Sequence, residues 1–209
     1  MKICTIVVTR SKSCSVKTLH SVLKLNIHCL RNNVQNEILY VNDNPFDVVE
    51  MIQKTLTKCD RIFFVDFGIG VDEESIKQIF KDHEGIGALV FPGVKDGIDW
   101  GLFKHKVREG SEEPVSQMGL NFDTEVDRKI STDIYTVTNT NARSYVLFTK
   151  NIMKNARDKK GNVNLHVKMF EKLREQKVKI HAFTASKLVM TYTHECVSNI
   201  LNAAGVKAN

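Results

Sequence analysis

The sequence predicts a single α/β domain with a mostly parallel central sheet flanked by helices, and three observations predict it. Over about the first ninety residues, short β-branched runs alternate with stretches whose apolar residues recur at three- and four-residue spacing. The connections between them are short, the pattern of right-handed βαβ units. The strand runs are apolar nearly throughout, as expected where both faces of a sheet are covered.

The first strand is the run Ile3 to Val8, which stops at Thr9, Arg10 and Ser11. From Val16 to Leu30, the residues Val16, Leu19, Val22, Leu23, Ile27 and Leu30 mark an amphipathic helix. Glu37 to Val41 reads as a second strand ending at Asn42 and Asp43. The helix after it, Phe46 to Thr57, starts at Asn44 or Pro45 and turns Val49, Ile52 and Leu56 to one side. Arg61 to Asp66 is the third strand, and Asp72, Glu73 and Glu74 then open a helix through Phe80 with acids at its positive end. Ile86 to Phe91 is the fourth strand, broken by Pro92 and Gly93.

Between Gly93 and Asp133 the pattern dissolves for about forty residues, long for a connection without structure and therefore expected to be functional. Ile134 to Phe148 reads as extended, Leu165 to Glu175 as a helix, and Val178 to Phe183 and Leu188 to Tyr192 as strands. A short helix is expected after Asn199. No repeat or linker divides the chain, so residues 1–209 are expected to form one unit.

Composition narrows the partners. The 30 Lys and Arg against 24 Asp and Glu give a formal charge of +6 over 209 residues, which suits an anionic ligand but also an ordinary basic surface. Cys4, Cys14, Cys29, Cys59 and Cys196 are scattered and lack a C-x-x-C pair, which argues against a disulfide framework or zinc site and for a cytoplasmic, reducing setting. Met1 to Arg10 is too short an apolar run for a signal peptide, and no later segment reaches the roughly 18 apolar residues of a membrane span, so a soluble protein is expected.

In an open α/β sheet, ligands bind beyond the carboxyl ends of the strands, and here those positions are polar: Thr9 and Arg10, Asn42 and Asp43, Asp66, then Lys95 and Asp96. Neither G-x-x-x-x-G-K-S/T nor G-x-G-x-x-G is present, which disfavours P-loop and dinucleotide-binding proteins. Asp66 stands out, because the apolar run Ile62 to Val65 cannot solvate a carboxylate. A divalent cation would hold it charged; equally, Asp66 could cap the turn around Gly68 to Gly70.

The succession of strand, helix, strand ending in Asp43, helix, then Arg61-Ile62-Phe63-Phe64-Val65-Asp66-Phe67-Gly68 followed by Val71-Asp72-Glu73-Glu74, resembles glycosyltransferases of the GT-A fold. With Asp99-Trp100 and Gly119-Leu120-Asn121-Phe122, it looks like those encoded by large DNA viruses such as the chlorella viruses. The resemblance implies a nucleotide-binding half at 1–92 and an acceptor-side half at 93–209. It implies transfer from a UDP-sugar to a glycan or glycoprotein acceptor, with a viral capsid protein as one possible acceptor and the host cytoplasm as the place. Mn²⁺ or Mg²⁺ would bridge the diphosphate. By position, Asp66 matches the first acid of the family's D-x-D, His194 the late metal- or phosphate-binding histidine, and Thr9, Arg10 and Asp43 the nucleoside site.

Gly68 stands where that family has its second acid, and Gly161 to Asn164 carry no acid where inverting members place a base. Asp96, Asp99, Asp123 and Asp133 are the candidate bases, each with solvated surface as its plain alternative. Trp100 could stack on an acceptor sugar or belong to the core. The rival reading is a non-catalytic nucleotide- or nucleic-acid-binding α/β domain; a nucleotidyltransferase would share the sheet but needs paired acids.

Overall fold

The computed structural model describes residues 1–95, 97–115, 117–157, 163–186 and, by backbone alone, 189–190. Strand β1 (Lys2–Thr9) feeds α1 (Val16–Arg31), which returns to β2 (Gln35–Asn42). Pro45 starts α2 (Pro45–Thr55), with Asn44 as its cap accepting from the Phe46 N–H at 2.9 Å. Next come β3 (Arg61–Val65), β4 (Ile69–Gly70), α3 (Glu73–Gln78) and β5 (Ile86–Val90). The remainder comprises α4 (Trp100–Arg108), β6 (Thr124–Ser131), β7 (Ile134–Thr140), β8 (Ser144–Phe148), α5 (Thr149–Asn155), α6 (Met169–Glu175), β9 (Lys179–Phe183) and β10 (Val189–Met190).

Eight strands form one sheet in the order β2-β1-β3-β8-β5-β9-β7-β6, and β10 pairs with β4. The β2, β1, β3, β5 and β9 strands run in one direction, with β8 reversed between β3 and β5. The antiparallel β6–β7 hairpin extends the sheet from β9. Helices α2, α5 and α6 close one face over Ile6, Val8, Ile62, Phe64 and Leu147; α1 and α3 close the other over Ile3, Phe63, Val65 and Leu89. The expected single α/β domain is therefore observed, and the strands buried from end to end, β3, β5 and β8, are apolar apart from Arg61 and Ser144 at their starts.

Three expectations change. The stretch from Gly93 to Asp133 is not a long loop but carries α4 and β6. The α4 helix buries none of its residues and β6 is exposed from Glu125 onward, so neither had a buried face to impose an apolar period. In α1, Val22, Leu25 and Cys29 are buried, whereas Val16, Leu19, Leu23, Ile27 and Leu30 point outward. Helix α6 starts at Met169, not Leu165, although Leu165 still packs on the core. The strand expected at Leu188 to Tyr192 is represented by β10, and the helix expected after Asn199 lies outside the described residues.

Candidate functional site

Because β1 lies between β2 and β3, the chain leaves β1 in one direction through α1 and crosses back through α2. That reversal opens a crevice beyond the carboxyl ends of β1 and β3, the place where such sheets bind ligands. Register fixes what meets there. Thr9 pairs with Asn42, Val7 with Val65, and Val65 with Ser144, so Arg10, Asp43, Asp66 and Arg143 emerge on one edge.

Two guanidinium–carboxylate pairs flank Phe67. On the β1–β2 side, Arg10 Nε donates to Asp43 Oδ2 at 2.6 Å, and the Arg10 guanidinium lies 5.0 Å from the Phe67 ring centre. On the β3–β8 side, Arg143 Nε donates to Asp66 Oδ2 at 2.7 Å and its Nη2 to the Phe67 carbonyl at 3.2 Å. The other Asp66 oxygen accepts from the Phe67 N–H at 2.7 Å, and the Asp66 N–H donates to the Arg143 carbonyl at 2.9 Å. Asp66 is thus both a turn cap and one half of an ion pair, and the charge expected to come from a cation comes here from Arg143.

The turn explains Gly68. The Ile69 N–H donates to the Asp66 carbonyl at 3.3 Å, and Gly68 has φ 80°, in the left-handed region. An acid at this position would be strained, which is a backbone reason for the missing second carboxylate.

A cavity of about 390 Å³ opens beside these pairs, between α2, α6 and the loop joining β7 to β8. Its floor is Val8, Phe64 and Tyr145, and its polar rim includes Asp43, Asp66, Asn141, Arg143, Lys168 and Glu171. An apolar floor with a charged rim can hold a flat ring and direct an anionic group toward the guanidiniums.

Asp123 sits behind the loop. It is buried; Oδ1 accepts from the Gly93 N–H at 3.0 Å and the Thr124 hydroxyl at 2.8 Å, and Oδ2 has no hydrogen-bond partner among the described residues. Burial pushes its carboxyl above the usual carboxylate range, against a smaller downward pull from these donors and from Arg143. Its own carbonyl accepts from the Asn141 N–H at 2.8 Å, so it ties the end of β5 to the loop that presents Arg143.

The sequence-derived candidates divide. Arg10, Asp43 and Asp66 come together; Thr9 adjoins them, but its hydroxyl donates to the Val41 carbonyl at 3.1 Å. Asp99 caps α4, accepting from the Leu102 N–H at 2.9 Å and the Asn121 amide at 3.0 Å, and the Leu102 bond leads in holding its carboxyl below the usual value. Asp133 occupies the β6–β7 turn with φ 60°. Neither Asp99 nor Asp133 lines the cavity. Trp100 is exposed at the start of α4 against Phe103, so it is not a core residue. Asp96 and His194 lie outside the described residues. Sequence reasoning missed Arg143, whose only local signal is a charge set directly before the apolar run Ser144 to Phe148.

The carboxylates nearest the crevice are already engaged within the protein. Asp66 has both oxygens engaged, Gly68 supplies no ligand, and Asp72 caps α3 through the Ser75 N–H at 3.0 Å and hydroxyl at 2.6 Å. No group of three or more His, Cys, Asp or Glu among the described residues could hold an ion. As arranged, the described side chains do not fit a protein-held divalent cation.

No family model matches the chain, and no curated protein matches it. Solved structures similar to it include GalNAc-T7 with UDP, GalNAc and Mn²⁺, at 12% identity over 92% of this chain and 44% of that one, with a TM-score of 0.48. A Drosophila β-1,4-galactosyltransferase 7 mutant with manganese, UDP-Gal and xylobiose is similar at 10% identity over 92% of this chain and 68% of that one, TM-score 0.44. An inositol-1-phosphate CTP transferase from T. maritima is similar at 10% identity over 95% and 77%, TM-score 0.38. The chain spans less than half the length of the GalNAc-T7 chain. At these scores the likenesses carry no functional inference for this chain.

Proposed function

We propose that this chain is a nucleotide-sugar-dependent glycosyltransferase that transfers a hexosyl or deoxyhexosyl group from a UDP-sugar to a glycan acceptor. The observation that carries this reading is the convergence of Arg10, Asp43, Asp66, Phe67 and Arg143 at the strand-order reversal, next to a cavity with an apolar floor. In this reading Thr9, Arg10 and Asp43 face the nucleoside. Asp66 holds Arg143, and the two guanidiniums offset the charge of the diphosphate as it departs. The base is left to Asp96, Asp99 and Asp133 as candidates; Asp99 would have to give up its cap to serve. Mn²⁺ or Mg²⁺, with Asp66 and His194 as ligands, is implied by the resemblance alone.

Calorimetry of UDP, GDP and CMP, each with Mn²⁺ and with EDTA, on the wild type and Asp66→Ala tests the reading. Selective binding of UDP that Asp66→Ala abolishes is the expected result. Absence of nucleotide binding would overturn it, and binding of oligonucleotides instead would overturn it in favour of the non-catalytic nucleic-acid-binding alternative.

A further inference from the structure

The outer side of α1 is apolar, and nothing among the described residues covers it. Val16, Leu19, Leu23, Ile27 and Leu30 are 81, 42, 52, 49 and 81% exposed, while Val22, Leu25 and Cys29 of the same helix are buried in the domain. At 3.6 residues per turn these five side chains share an arc of about 80°, and from Val16 to Leu30 the stripe is about 21 Å long. A core-packing helix has one apolar face; this one has two. The second is made of large branched side chains that gain nothing from water.

Charge along the stripe indicates what meets it. The sequence of α1, VKTLHSVLKLNIHCLR, contains no Asp or Glu. His20, Arg31, Lys24 and Lys17 follow one another around the adjoining arc, and His28 beyond them is held by Glu73 at 2.5 Å. A cavity of about 560 Å³ opens along this basic border, lined by Lys17, His20 and Lys24 from α1, with Asp72 as the acid on its opposite wall among the described residues. A second copy of the chain would set this cationic row against itself. A protein partner would ordinarily find aromatic or Arg anchors at the centre of its patch, whereas this stripe offers only Val, Leu and Ile.

We propose that α1 is a membrane-surface helix that docks the protein on anionic phospholipid. The stripe from Val16 to Leu30 enters the boundary between headgroups and acyl chains, and Lys24 and Arg31 face the headgroup phosphates. No helix among the described residues is long and apolar enough to cross a membrane, so the contact is peripheral. It does not depend on the transferase reading.

Co-sedimentation of the full chain with phosphatidylcholine vesicles, and with vesicles containing phosphatidylserine as well, tests this. Binding is expected to the mixed vesicles only and to weaken as salt rises. Lys24→Glu with Arg31→Glu should lower partitioning at least about tenfold, since each basic residue near such a surface contributes about 1 kcal/mol. Leu23→Glu with Ile27→Glu should do the same with the melting temperature unchanged, both side chains being exposed. Leu23→Trp, read against the wild type with its native Trp100, should shift its emission to the blue on mixed vesicles. Failure to sediment, an unshifted emission, or a dimer that Leu23→Glu with Ile27→Glu dissolves would overturn the proposal.

Discussion

The two sides of the crevice use the same chemistry in different settings. On the β1–β2 side, Arg10 and Asp43 form a pair with both side chains about half exposed; on the β3–β8 side, Arg143 and Asp66 are 25 and 20% exposed and also bond the main chain at Phe67. Water competes with the first pair and reaches little of the second. An exposed pair contributes between nothing and about 1 kcal/mol, whereas a shielded carboxylate that loses its partners exposes the cost of its desolvation. The β3–β8 pair therefore anchors the site, and the β1–β2 pair is free to exchange a carboxylate for a ligand.

The largest effect is expected at the anchor. Asp66→Ala frees the Phe67 N–H and leaves Arg143 without its carboxylate, which should destabilise the fold by about 1–3 kcal/mol in chemical denaturation. A double-mutant cycle of Asp66→Ala and Arg143→Ala should give a larger coupling than the same cycle on Arg10 and Asp43. Equal couplings would break the comparison.

Asp123 is expected to act through pH and less strongly. Its folded pKa lies above the ordinary value, so the folded state holds the proton more tightly than the unfolded chain. The associated stability is present below about pH 3.9 and is lost as pH rises through the folded pKa. Asp123→Asn carries no such charge, so its melting temperature relative to the wild type should rise from acid to neutral pH. A pH-independent difference would show that Oδ2 is solvated.

The smallest stability effect is expected at Arg10→Ala, within about 0.5 kcal/mol of the wild type, while UDP binding in the proposed function falls. A large loss of stability there would show that the exposed pair is also structural.

The contrast between the pairs is also a contrast in what could be read from the chain. Arg10 and Asp43 each sit at the end of an apolar run that announces its own strand, and the alternation β1-α1-β2-α2-β3 determines that the two ends are neighbours. Asp66 was legible in the same way. Arg143 was not, because it lies 77 positions from Asp66 and enters beside it only through the reversed strand β8. The missing second acid was visible as Gly68, but its cause, a left-handed turn residue, needed the backbone.

The sequence by itself determined the α/β class, the order of the first five alternating elements, and the polar residues at their carboxyl ends, because both-face burial and helical period are written into local runs. Tertiary structure alone decided that a guanidinium accompanies Asp66, that Asp99 is a cap, and that α1 carries its second apolar face into solvent. Periodicity reports that apolar residues share a side of a helix; it does not report which side meets the sheet.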